Sequence, residues 1–217
     1  MDLDSYIKKS LTAIKKKLGI KPTAKRLMFA MAQFHEATDA LVKWRSSTGV
    51  KFACKKGCSY CCHLRVELLP PEAFYIAAHI KTLPVAQQAT LREKLTQHKL
   101  YAEGKTFTHY AKACPFLTPQ GACGIYAVRP HKCRAHVSLR VEPCATTGDA
   151  TEDSALALAM QKLVAQTLAL YRQHGCVMHP LELGQGVLAV LQDEHLLQRW
   201  EAGEQVFELL PEKIVFN

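Results

Sequence analysis

The sequence predicts a mainly α-helical fold in which irregular cysteine-rich loops, which can include short strands, pack on a bundle of helices. Two observations predict this class. Apolar residues recur every three or four positions through several long segments, as expected for amphipathic helices. Eight of the nine cysteines lie instead in two segments, 54–62 and 114–144, where Gly and Pro interrupt that pattern and favour loops.

The first fifty residues predict two helices. An apolar residue recurs at helical spacing from Leu3 to Leu18, lysines lie mostly between these positions, and Gly19 ends the helix. Thr23 opens a second helix, which runs to about Arg45. Its apolar face comprises Leu27, Met31, Phe34, Ala37 and Leu41.

The part of the chain between the two cysteine segments predicts one short strand and two helices. Residues 64–69 alternate weakly, as expected for the strand. The run Pro70-Pro71-Glu72 indicates a helix start, because proline is tolerated in the first turn, and the helix continues to Ile80. The second helix is expected over 85–103, with Gly104 after it.

The remaining residues predict a second strand and further helices. The strand is expected at 135–141, within a region that is otherwise loop. Thr151 is expected to cap a long helix that runs through Tyr171, with Asp153 at the positive end of its dipole. One or two more helices are expected within 181–208.

These elements divide the chain into a basic helical segment, 1–50, a cysteine-cluster metal-binding domain, 51–148, and a C-terminal helical segment, 149–217, that packs on it. Residues 1–56 hold 13 Lys/Arg and 4 Asp/Glu, whereas residues 57–217 hold 15 of each, so the net charge of +9 belongs to the N-terminal part. Its lysines are expected to form a solvated face, with contact to nucleic acid or an anionic surface as the alternative.

No apolar stretch approaches the roughly 20 residues that a membrane span needs, and the acidic N-terminus lacks the apolar run of a secretory signal. We therefore expect no transmembrane segment and a cytoplasmic location. In a reducing compartment clustered cysteines are more often metal ligands or catalytic thiols than disulfides.

The cysteine spacing predicts a site for a soft metal ion. The first segment reads C-x3-C-x2-C-C, and short spacings let successive thiolates converge on one ion. The second segment spaces its cysteines by eight to ten residues, which is loop length. The predicted ligands are Cys54, Cys58, Cys61, Cys62, Cys114, Cys123, Cys133 and Cys144.

How these thiols are shared between sites stays open at this point. Eight thiols can complete two tetrahedral sites, or fewer can share a site with His63, His131 or His136. The adjacent pair Cys61 and Cys62 can serve two metals, or one of the two can be a bystander. The ninth cysteine is Cys176, expected as core filler near a helix end, with a third site beside His174 and His179 as the alternative.

Two motifs carry a family resemblance over about residues 50–145. The first is the opening cysteine run followed by Val66, Leu68 and Glu72. The second runs Cys114-Pro115-Phe116-Leu117, Gly121, Cys123, Ile125-Tyr126, Arg129-Pro130 and Cys133-Arg134. Together they resemble the YkgJ-type cysteine-cluster family of zinc- or iron-chelating proteins.

The resemblance implies a metal but no particular reaction. It implies as ligands the four cysteines of the first motif and Cys114, Cys123 and Cys133; Cys144 is less tightly implied, because the last cysteine of the family varies in position. It also brings Arg129 and Arg134 into the signature, where guanidinium groups would offset thiolate charge and donate hydrogen bonds to sulfur.

Three functions are compatible with these features. The first is a protein that holds zinc on thiolates, in a structural or metal-handling role. The second is an iron or iron–sulfur enzyme for redox or group transfer. Residues 54–61 match the C-x3-C-x2-C run of radical-SAM enzymes, although the chain lacks the strand–helix alternation of that fold. Some flagellin-modifying methylases share a similar cysteine cluster. The third is a nucleic-acid binder using residues 1–56, which lack the aromatic interleaving typical of that class.

Overall fold

The computed structural model of the protein describes residues 3–105 and 110–210. Its helices are α1 (Leu3–Leu18), α2 (Ala24–Ser47), α3 (Pro70–Lys81), α4 (Val85–Ala102), α5 (His131–Ala135), α6 (Glu142–Thr146), α7 (Ser154–Gln173), α8 (Leu183–Gln192) and α9 (Leu196–Glu201). Short 3-10 turns lie at Tyr60–His63 and Tyr126–Val128, and two strands, β1 (Glu67–Leu68) and β2 (Leu181–Glu182), pair with each other. The mainly α-helical prediction is confirmed.

Helix α1 packs on α2 and α7, and a second group, α3 and α4, packs on α8. The apolar face predicted for α1 is buried at Ile7, Ile14 and Leu18, and the face predicted for α2 is buried at all five positions. One hydrophobic cluster joins residues from every part of the described chain, including Phe34, Val66, Phe116, Tyr171 and Trp200. In the described ranges no helix is long and apolar enough to cross a membrane.

The two-stranded sheet joins the first cysteine segment to α8. Leu68 lies opposite Leu181 in an antiparallel register, and the Leu183 N–H donates to the Val66 carbonyl at 3.1 Å. The strand predicted at 64–69 is therefore present but two residues long.

The strand predicted at 135–141 is wrong. Ala135 is the last residue of α5, and residues 136–141 are irregular. Their backbone groups pair singly with different segments instead of forming a ladder: the Ser138 carbonyl accepts from the Ala53 N–H at 2.8 Å, and the Leu139 N–H donates to the Thr151 carbonyl at 2.9 Å.

The cap predicted for the long C-terminal helix is also wrong by two residues. Asp153, not Thr151, is the N-cap of α7, and its side chain accepts from the Leu156 N–H at 2.9 Å. Asp153 also receives two hydrogen bonds from Arg45, at 2.8 and 2.9 Å. This second partner, 108 residues away in sequence, favours the acid over the threonine.

Candidate metal centre

The first four cysteines lie in a loop that follows α2 and in the turn that follows the loop. Cys54 is exposed, and Cys58 is partly buried beside Gly57, whose φ of 88° is readily adopted by glycine. Cys61 and Cys62 lie in the 3-10 turn Tyr60–His63. The loop or short turns predicted for this segment are confirmed.

The second four cysteines are carried by three different local structures. Cys114 and Cys123 flank a tight turn, closed by an isolated bridge between Leu117 and Cys123. Cys133 is in the middle of α5, which begins directly after Pro130, and Cys144 lies in α6. All four are partly buried, and short helices thus present thiols that the sequence pattern assigned to loops.

The two cysteine segments meet in space. The Cys114 N–H donates to the Cys62 carbonyl at 2.7 Å, and α6, which carries Cys144, packs on the turn Tyr60–His63. The Ser138 N–H donates to the Cys54 sulfur at 3.4 Å. Stretches of chain separated by more than fifty residues are therefore adjacent in space.

Backbone N–H groups donate hydrogen bonds to three of these sulfurs. Besides Ser138, the Phe116 N–H donates to Cys114 and the Ile125 N–H to Cys123, and each bond lowers the pKa of its thiol against the larger effect of burial. Backbone donors of this kind stabilise the thiolate form, which is the form that binds metals.

The thiols form two overlapping groups of electrostatic neighbours, because Cys61 repels Cys54 on one side and Cys114, Cys123 and Cys133 on the other. Burial, together with repulsion from Cys58, Cys61 and Cys144, raises the pKa of Cys54. These four cysteines form the group that we call the outer quartet. Its most exposed member is Cys54.

Cys62 belongs to a second group, the inner quartet. A hydrogen bond from the Cys61 thiol lowers the pKa of Cys62, against burial and repulsion from Cys114, Cys133 and Cys123. The same hydrogen bond is the largest cause of the raised pKa of Cys61. The Cys61 thiol therefore acts as the donor and Cys62 as the acceptor where the two groups of thiols meet.

The three other members of the inner quartet pack against the hydrophobic core. Burial raises the pKa of Cys114 to about 12. Burial also raises the pKa of Cys133, with repulsion from Cys114 and Cys61 adding to the shift. Without a cation these thiols are protonated at neutral pH, so a bound metal ion has to displace their protons.

The arginines of the signature act through charge rather than through hydrogen bonds to sulfur. Arg134 donates to the Arg129 carbonyl at 2.8 Å, to the Ala127 carbonyl at 2.6 Å and to Asp39 at 2.5 Å. The Arg129 guanidinium lies 4.0 Å from the Tyr126 ring centroid. Both charges lower the pKa of Cys123 against the larger effect of burial.

The histidines near the cysteines differ in availability. His131 stacks on Phe34 at a centroid distance of 4.6 Å, and its Nδ1 bonds the Thr38 hydroxyl at 2.9 Å, so this ring is engaged with α2. His63 is exposed, with Nδ1 at 3.2 Å from the Ser59 carbonyl. The Nε2 atom of His136 is buried without a hydrogen-bond partner.

Glu72 connects the helices that hold Cys133 in place, a role that the sequence analysis missed. Its side chain is 1% exposed and accepts from His35 Nε2 at 2.7 Å, from the His131 N–H at 2.5 Å and from the Leu69 N–H at 2.8 Å. Burial raises its pKa, but His35 and the two backbone donors outweigh that effect and lower it overall. An ionised carboxylate thus links α2, the start of α3 and the start of α5.

A further buried polar cluster lies behind Cys114. His98 Nε2 bonds the Tyr110 hydroxyl, and its Nδ1 lies 3.3 Å from Glu182 Oε1. Burial lowers the pKa of His98 to about 4 and raises that of Glu182. A Cβ on Gly184 would lie 2.5 Å from His98 Nδ1, so this close approach requires glycine, and no sequence pattern indicated it.

Cys176 lies apart from both quartets. It is buried in the core cluster, on one wall of a cavity of about 310 Å³ that is also lined by Lys21, His174 and Glu201. Burial is the larger of two causes that raise its pKa to about 11. Its position as core filler near the end of α7 agrees with the expectation.

Within residues 3–105 and 110–210, no three His, Cys, Asp or Glu side chains are arranged so that they could hold a metal ion. The donor chemistry nevertheless fits a soft metal, because all nine cysteines are free thiols and backbone N–H groups already point at several sulfurs. Closing a site requires side-chain rotation and loss of the thiol protons.

A helical scaffold that carries eight free thiols in two adjacent segments is typical of one class of protein, the cysteine-rich metal chelators. The chain belongs to the CxxCxxCC family, described as a "putative zinc- or iron-chelating domain", whose family model matches residues 53–164. The family resemblance drawn from the motifs is thereby confirmed, and metal binding is the general function that this membership supports. No curated protein and no solved structure matched the chain.

Proposed function

We propose that the protein binds two metal ions, with zinc as the first choice, through the outer and inner quartets. The outer quartet is Cys54, Cys58, Cys61 and Cys144, and the inner quartet is Cys62, Cys114, Cys123 and Cys133. The observation that carries the proposal is that the adjacent Cys61 and Cys62 lie where the two overlapping groups of thiols meet. Four thiolates each suit the tetrahedral preference of zinc.

The two sites have different roles in this proposal. The inner quartet packs three of its cysteines against the core, which suits a closed structural site. The outer quartet includes the exposed Cys54 on a loop, which suits an ion that is taken up and released. The protein would therefore be a metal-handling protein whose inner ion maintains the scaffold for the outer one.

Thiolates, backbone N–H groups and arginines of the chain would form the environment of the bound ions. The ion would supply positive charge that holds four sulfurs as thiolates, and each thiol would release its proton on binding. Backbone N–H groups of Ser138, Phe116 and Ile125 would remain hydrogen-bonded to sulfur. Arg129 and Arg134 would offset part of the negative charge around Cys123.

Metal content and exchange test the proposal on protein purified without added metal or a nickel column. We expect two equivalents of zinc, released to a coloured chelator in one fast and one slow phase. Cys58→Ser should remove the fast phase alone, and Cys123→Ser should remove the slow phase and lower the amplitude of the fast one, whereas the matched control Cys176→Ser should leave both. Loss of both ions in Cys58→Ser, or no loss in either variant, would rule out the division.

The alternative is an iron or iron–sulfur enzyme. The specific observation in its favour is the partial exposure of the thiols of the first segment, which would let a substrate approach a cluster. A brown protein that absorbs near 400 nm, with iron and acid-labile sulfide in place of zinc, would select this alternative. A colourless protein with stoichiometric zinc would exclude it.

A further inference from the structure

The exposed face of α1, together with the α1–α2 connection and the first turn of α2, carries a dense array of exposed cations. We call it the basic corner; it comprises Lys8, Lys9, Lys15, Lys16, Lys17, Lys21, Lys25 and Arg26, all of them exposed. Asp4, the acidic residue of α1, pairs with Lys162 at 3.2 Å. Among the described residues, none of the seven lysines lies within ion-pair distance of a carboxylate.

Two apolar side chains project from the same corner. Ile20, between α1 and α2, is 94% exposed, and Phe29, in the second turn of α2, is 50% exposed. The Lys25 ammonium lies 5.7 Å from the Phe29 ring centroid. Transfer of the exposed Ile20 side chain from water into an apolar phase would be favourable, because it removes apolar surface from water.

The cations are held on a fixed surface. Helix α1 buries Ile7, Ile14 and Leu18 against the bundle, so its opposite face is set in orientation before any partner arrives. At 1.5 Å per residue the 16-residue helix extends about 24 Å. The basic corner is therefore a preformed cationic surface, and the apolar side chains Ile20 and Phe29 lie at one end of it.

We propose that the basic corner docks the protein on an anionic phospholipid bilayer. Lysines would lie among the headgroups, and Ile20 and Phe29 would enter the boundary of the acyl chains. Clustered lysines combined with apolar side chains are typical of interfacial binding. A nucleic acid fits less well, because lysine lacks the bidentate fork of arginine and phosphate contacts give no role to the exposed Ile20.

Vesicle flotation with the full-length, metal-loaded protein tests this proposal. Phosphatidylcholine vesicles with roughly a third phosphatidylserine should bind the protein at low salt, and pure phosphatidylcholine vesicles should not. Raising the salt to 0.5 M should release it, because exposed charges are screened. Equal binding to neutral vesicles would overturn the electrostatic part of the proposal.

Two variants distinguish the contribution of the lysine charges to vesicle binding from the contribution of the inserted apolar side chain. A Lys8→Gln, Lys16→Gln, Lys21→Gln triple variant should bind about 100-fold more weakly, since each lysine contributes about fivefold. The matched control removes the same charge elsewhere on the surface, at Lys43, Lys81 and Lys94, which are exposed, and should lose far less. Ile20→Ser should weaken binding about 10-fold without changing its salt dependence.

The outcomes are decisive because the substituted residues are exposed and the fold should be retained, which circular dichroism can check. Equal losses in the basic-corner variant and its control would mean that net charge alone acts, and the proposal would be overturned. Tighter binding to a 20-base-pair duplex than to the anionic vesicles, lost in the same triple variant, would make the corner a nucleic-acid interface instead. The test is independent of the metal sites.

Discussion

Single buried side chains link the cysteine segments to the helical scaffold. Glu72 is the main example, since one carboxylate receives hydrogen bonds from His35, from the start of α3 and from the start of α5. A buried carboxylate is stabilised only when donors surround it. Glu72 therefore fixes the position of α5, and with it Cys133, without being a candidate ligand itself.

We predict that Glu72→Gln destabilises the protein by about 2–3 kcal/mol. The amide keeps the size of the side chain but presents an N–H₂ group where donors now converge, so a buried donor loses its acceptor. Urea denaturation of the metal-loaded protein would measure the change. Glu93→Gln on α4, where the carboxylate is exposed, is the control and should be neutral; an equally neutral Glu72→Gln would contradict the role of the carboxylate.

His98 predicts a pH dependence of stability. Its pKa is about 4 in the folded state because burial disfavours the charged ring, whereas an unfolded histidine titrates near 6.5. The unfolded chain therefore binds the proton first, and stability falls as the pH drops from about 6.5 to about 4. The full loss from this residue is on the order of 3 kcal/mol.

The comparison of wild type with His98→Gln isolates this effect. Glu182 has a raised pKa and acts in the opposite direction over part of the same range, but both proteins contain it. As the pH falls from 7 to 4, the wild type should lose stability relative to the variant, measured by urea denaturation at each pH. A difference that does not change with pH would show that folding does not lower the pKa of His98.

At the scale of the elements, the caps and breakers decide where each helix begins. Pro70 and Pro71 start α3 and Pro130 precedes α5, because proline favours the first turn and cannot continue a helix from within. For α7, however, Thr151 and Asp153 are both acceptable caps by type. The choice of Asp153 depends on Arg45, a tertiary contact.

We therefore predict that Asp153→Ala destabilises the protein, by about 1 kcal/mol for the lost cap alone and further through the lost contact with Arg45. Thr151→Ala is the matched control, because Thr151 contributes backbone groups that alanine retains. Urea denaturation should separate the two variants. Equal effects would mean that the helix can move its start to Thr151.

At the scale of the whole molecule, local signals predicted the long helices and tertiary contacts decided the remainder. The starts and ends of α1 to α4 follow from periodicity, Gly19, Thr23 and the proline pair, all of them local. The strand expected at 135–141 failed because its backbone pairs with Ala53 and Thr151, which no local pattern encodes.

The candidate site, like the fold, could be predicted only in part from local sequence. The cysteines and the family were evident from spacing, because metal ligation places short-range demands on sequence. The proposed division into quartets was not evident, since it rests on where α5 and α6 place Cys133 and Cys144. The His98–Tyr110–Glu182 cluster was missed because it needs the pairing of β1 with β2 to bring α4 and α8 together.

The last prediction concerns metal removal. The cysteine segments contribute Phe116, Ile125 and Val128 to the same hydrophobic cluster as the long helices, so part of the force that holds these segments in place does not require metal. A chelator under reducing conditions should lower the melting temperature but leave most of the far-ultraviolet helical signal. The thiols should then alkylate readily, the outer quartet before the inner. Complete loss of the helical signal would instead mean that metal binding and folding are one event, as in small zinc domains.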